Sequence, residues 1–130
     1  MDYDAVVTSI DHLQGVFGPY SNWPPKNLTI QKDSTDLLWH ENEFLQRSSF
    51  TYTVLTPDEA KAVGCVYIFP CEKKDYDAMI ILWARSSVLQ YGTDELLYET
   101  TKDWIEKEWP FNKVAYPGRE IQWNDWKNFK

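Results

Sequence analysis

An α+β fold, with a mixed but mostly antiparallel sheet flanked by helices, is what the order of hydrophobic patterns predicts. Two stretches with helical spacing come first, three strand-like stretches follow at hairpin distance, and a further helix leads to one last short strand. The 130 residues suit one domain spanning 1–130, with no repeat, low-complexity tract or linker to divide it.

Val6, Ile10, Leu13 and Phe17 form one stripe of an amphipathic helix from Tyr3 to Phe17, which Gly18-Pro19 ends. The prolines and asparagines of GPYSNWPPKNL forbid regular structure there. Thr29 can cap a second helix running to Gln46. SFTYTVL then alternates Phe50, Tyr52 and Val54 with Thr51 and Thr53, which suits a strand with one wet face. VGCVYIF and YDAMIILWA are apolar on both alternating faces, so they read as central strands covered on both sides. The short polar connectors PDEAK and PCEKKD make the three strands an antiparallel meander.

Beyond Arg85, the loop SSVLQYG leads to Thr93, a cap for a third helix whose apolar face is Leu97, Thr101, Trp104 and Ile105. Pro110 stops it, Lys113 to Tyr116 reads as a short strand, and Pro117-Gly118 as a turn. A strand–helix–strand crossover places that last strand parallel to the 76–84 strand. The expected core is Val6, Ile10, Leu13, Phe17, Leu37, Phe44, Ile80, Leu82, Leu97, Trp104 and Ile105, with the tail WNDWKNFK packed onto the body.

A net charge of −7 excludes the basic stripe that nucleic-acid binding requires, and it agrees with a cationic partner such as an amine. No apolar run is long enough for a membrane span, and MDYDAVV lacks the features of a signal peptide, so a cytoplasmic protein with reduced thiols is expected. Two cysteines and two histidines, without zinc spacing, predict no metal site. Aromatic residues make up 16% of the chain, which means either a core filled by a few large side chains or an aromatic-lined pocket; composition favours the first.

The element order, with YDAMIILWARSSVLQYGTDELLYETTKDWI and WPFNKVAYPGREIQW, resembles the GNAT superfamily of N-acetyltransferases, in particular its small, divergent bacterial members. The resemblance covers residues 3–123 as a pattern and implies a reduced GNAT-like domain. Too little chain follows residue 116 for the usual extra helix and strands, so 49–55 should be an exposed edge fit for a homodimer. It also implies acetyl-CoA as cofactor, oriented by backbone groups of Leu82, Trp83 and Ala84 and by a pyrophosphate loop in which Gly92 holds the first glycine position. Trp23 falls in the region that lines the acceptor site in the family. Leu89 and Asp94 depart from the loop motif, and Asp94 with Glu95 sets two carboxylates at a helix N-terminus, so weak or absent acetyl-CoA binding is expected.

Glu41 is the candidate base. It lies at the centre of the stripe Ile30, Leu37, Phe44 and Leu45, where a carboxylate must be paired, with Arg47 or Arg85, or raised in pKa. His40 flanks the same stripe, and Cys65 on a central strand reads as a buried inert thiol. Two functions compete: N-acetyl transfer from acetyl-CoA to an amine, and a non-catalytic domain on the same scaffold that binds a small molecule or a protein.

Overall fold

The structure is a computed structural model that describes residues 1–129. Strands β1 (Phe50–Leu55), β2 (Ala62–Pro70), β3 (Ala78–Ala84) and β4 (Val114–Ala115) form one sheet in the order β1-β2-β3-β4. The first three pair antiparallel, and β4 pairs parallel to β3 through Ala78–Val114 and Met79–Ala115. Helix α4 (Thr93–Glu108) makes the crossover between them. The meander and its parallel addition are as the sequence predicts.

Both central strands are covered on both faces. Cys65, Tyr67, Ile81 and Trp83 point to one side, where helices α1 (Asp2–Val7) and α2 (Ile10–Leu13) bring Ala5, Val6 and Leu13. Val66, Ile68, Ile80 and Leu82 point to the other, against Ile105 of α4 and Tyr116. Helix α5 (Trp123–Trp126) buries Trp126 and rests Trp123 over Gly118. At Gly118 φ is +84° and an added Cβ would meet the indole at 2.6 Å, so glycine is required there on two counts.

Three expectations change. The first helix is broken at Thr8 and Ser9: the Thr8 hydroxyl donates to the Asp4 carbonyl at 2.7 Å, and the Ser9 hydroxyl accepts from the Ser86 amide at 2.9 Å. Side-chain bonds of this kind compete with the helical ladder. Phe17 still reaches the core region, but from a turn in which Gly15 has φ +79°. The cap of α4 is Gly92, left-handed at φ +71°, with Thr93 already inside the helix.

The third change concerns helix α3 (Ile30–Leu45). Thr29 caps it as expected, its hydroxyl accepting from the Lys32 amide at 3.1 Å. The helix faces the other way, however. Its one buried residue is Asp33, while Leu37 and Phe44, expected in the core, are more than a third exposed. The helix packs beside the edge strand β1, where Phe44 meets the rings of Phe50 and Tyr52 and His40 Nδ1 lies 3.1 Å from the Thr51 hydroxyl. The wet face of β1 meets the polar side of α3.

Candidate functional site

Inverting α3 builds a pocket of about 300 Å³ over β1 and β2. Phe17 from the turn after α2, Trp23 from the proline-rich loop, Trp39 from α3 and Tyr67 from β2 wall it. Phe17 stands edge-on to Trp23 at 5.2 Å and to Tyr67 at 4.9 Å, which fixes both rings. Tyr67 is held from beneath, its hydroxyl accepting from Trp83 Nε1 at 3.0 Å. Cys65 forms part of the floor; burial pushes its thiol up to about 12, so it remains protonated and inert.

Three carboxyl groups enter the same space: Asp2 from α1, and Asp33 and Asp36 from α3. Asp33 is only 3% exposed, and its side chain hydrogen-bonds Asp2. Burial, then the charge of Asp2, pushes Asp33 up to about 7, and burial also raises Asp2. Two carboxyls in contact cannot both ionise cheaply, so they share a proton. His40 lines the pocket too, its pKa lowered by burial against the pull of Asp36, Asp2 and Glu43. A neutral imidazole leaves the acids without a cation from that side. Among the described residues no group of three or more His, Cys, Asp or Glu is placed to hold a metal ion. The pocket is therefore anionic, aromatic-walled and suited to an organic cation.

Trp23 thus stands in a pocket wall, half-buried, while Glu41 is exposed and outside it. Glu41 has no salt-bridge partner among the described residues: Arg85 instead donates to the Thr8 hydroxyl and the Ala62 carbonyl. The burial and pairing expected at 41 are overturned because the stripe on which it lies faces solvent. Sequence reasoning missed Asp2, Asp33 and Asp36. The signal was present as a second stripe on the same helix, Asp33, Asp36, His40 and Glu43, spaced for one face.

The remaining site residues lie across the sheet. A groove of about 280 Å³ opens between Ile81–Trp83 of β3 and the segment Pro117–Arg119 beyond β4. Its polar groups are already matched. Arg119 donates twice to Asp94, at 2.9 and 2.8 Å, and also to the Leu82 carbonyl at 3.1 Å. That pairing holds the Asp94 carboxyl below its ordinary value, and Asp94 also accepts from the Ala84 amide. The backbone of Trp83 lies in the β2–β3 ladder opposite Cys65. The backbone groups expected to orient acetyl-CoA are thus engaged within the chain at Leu82 and Ala84. Gly92 supplies an open backbone, but Leu89 beside it is apolar and Asp94 and Glu95 occupy the first turn of α4. These residues do not fit a pyrophosphate.

The pocket and the groove share a partition. Trp23 lines the first, Trp83 the second, and their rings lie 6.2 Å apart. Among the described residues no helix is long and apolar enough to cross a membrane. Comparison of the chain with protein-family models, curated proteins and solved structures finds no match.

Proposed function

We propose that this domain is a binding module for an organic ammonium group, held in the pocket formed by Asp2, Asp33 and Asp36 with Phe17, Trp23, Trp39 and Tyr67. One observation carries the reading: Asp33 is buried beside another carboxyl, in a pocket with aromatic walls. A buried acid pair lowers its free energy most by meeting a cation. Aromatic faces attract that cation through their quadrupoles and take up its alkyl groups, worth about 0.5–2 kcal/mol per ring. Binding ionises Asp33, so the shared proton leaves for solvent. Affinity should then rise as pH increases through about 7, in an environment set by Asp2, Asp36, His40 and the α-amino group of Met1.

Titration with choline, and with its neutral isostere 3,3-dimethylbutan-1-ol, tests this by tryptophan fluorescence and calorimetry. Choline should bind at least about tenfold more tightly. Asp33→Asn and Trp39→Ala should each weaken it, and proton release should accompany binding at pH 6. Equal binding of the two compounds, or binding of neither at millimolar concentration, would refute the reading.

Acetyl transfer within a GNAT-like lineage is the second reading, and the nearness of pocket and groove, divided only by Trp23 and Trp83 with rings 6.2 Å apart, is what favours it. The matched Asp94–Arg119 pair argues against acetyl-CoA in that groove. Calorimetric titration with acetyl-CoA separates the two readings, since micromolar binding would put transfer ahead.

A further inference from the structure

Helix α3 turns an apolar stripe to solvent. Ile30, Leu38 and Leu45 are 56%, 65% and 74% exposed, and Leu37 and Phe44 border them. At helical spacing Ile30, Ser34, Leu37, Leu38, Glu41 and Leu45 share one side of the helix. The opposite side is fixed to the body by polar contacts. Asp33 hydrogen-bonds Asp2, His40 meets Thr51, and Glu43 accepts from the Ser49 hydroxyl at 3.2 Å. Rolling the helix to bury the stripe would strand those groups, so Ile30, Leu38 and Leu45 stay largely in solvent, while Leu37, Glu41 and Leu45 rim an open groove against Thr51 and Thr53 of β1.

We infer that α3 pairs antiparallel with α3 of a second copy of this chain. The argument is the order of residues along the stripe. It runs apolar, polar, apolar, apolar, polar, apolar, and it reads the same from either end. An antiparallel pair centred between Leu37 and Leu38 therefore sets Ile30 against the partner's Leu45, Leu37 against the partner's Leu38, and Ser34 against the partner's Glu41. The serine hydroxyl donates to the carboxylate, so the one charge in the seam is matched. A parallel pair would instead set Glu41 against its own copy, which costs free energy in a seam of low dielectric. The five apolar side chains of each copy, partly exposed in the single chain, suit an interface at the low end of the size range, so a weak and reversible dimer is the form expected. This surface differs from the β1 edge, against which α3 itself packs.

The test is sedimentation equilibrium of the full chain from micromolar to millimolar concentration. A reversible dimer is expected. Leu38→Lys and Leu45→Lys should each raise its dissociation constant by roughly a hundredfold, because a symmetric interface carries every change twice. Both positions are exposed in the single chain, so far-UV circular dichroism should not change. Ser34→Lys fixes the direction: facing the partner's Glu41 it should tighten the dimer severalfold at low salt, whereas in a parallel pair it would face its own copy and weaken it. A monomer at every concentration, a dimer indifferent to Leu38→Lys, or a dimer weakened by Ser34→Lys would each overturn the inference.

Discussion

Two aspartates, one on each side of the tryptophan partition, show how placement decides what a carboxyl does. Asp94 sits at the N-terminus of α4 with a bidentate arginine, a backbone amide and a depressed pKa. Asp33 is more deeply buried, meets another carboxyl and has its pKa raised to about 7. The first is electrically complete and closes a groove. The second has no salt-bridged cation among the described residues, only the pull of the Met1 α-amino group against two neighbouring carboxyls, and keeps a pocket in want of a closer one. A polar group whose needs are met within the chain argues for structure; one whose needs are not met argues for a ligand.

The largest effect should come from the wall between them. Trp83 is 1% exposed and donates to Tyr67, so Trp83→Ala leaves both a cavity and an unsupplied hydroxyl. A loss of about 3–5 kcal/mol is expected in urea unfolding. A loss below about 1 kcal/mol would mean that the partition holds neither region in place.

Next, neutralising the two aspartates should move stability in opposite directions near pH 8. Asp94→Asn should cost about 1 kcal/mol, since the ion pair is a quarter to a third exposed and partly screened. Asp33→Asn should stabilise the fold by relieving repulsion from Asp2. Denaturant midpoints that shift in the same direction would collapse the contrast.

The two carboxyls should also act in different pH windows. The folded pKa of Asp33 lies above its ordinary 3.8, so its contribution is complete below pH 3.8 and is lost as pH rises through about 7. The folded pKa of Asp94 lies below 3.8, so its contribution is present above that value and is lost as pH falls through the depressed one. Thermal midpoints of the wild type should decline between about pH 4 and pH 7. Asp33→Asn should flatten that decline, and Asp94→Asn should leave it intact. The smallest effect is expected at Glu41, which belongs to neither region: Glu41→Gln should change stability by less than about 0.5 kcal/mol and leave choline affinity unaltered.

Much of the fold could be read from local pattern. The alternation in residues 50–54, the two-sided apolar runs of β2 and β3, the Thr29 cap and the strand–helix–strand order each determine an outcome within a few residues. The candidate site was far less legible. Trp23 could be placed in a loop with a binding role, but its partners come from α1, α3 and β2, which are remote in sequence. Glu41 misled because an apolar stripe on a helix is ordinarily its inner face.

What the sequence determined by itself is thus the strands, their pairing in the sheet, helices α3 and α4 and the cap of α3, since these follow from spacing and nearest neighbours. Periodicity also shows that α3 has two faces, one apolar and one bearing Asp33, Asp36, His40 and Glu43. Only the tertiary structure decided which face turns inward. Val6, Leu13, Phe17 and Trp23 already cover the sheet over Tyr67 and Trp83, so α3 arrives at the edge, where β1 offers Thr51 and Thr53. The Thr51 hydroxyl there takes the imidazole of His40 as its partner, which leucine could not supply, because an unpaired buried polar group costs more than an exposed apolar one.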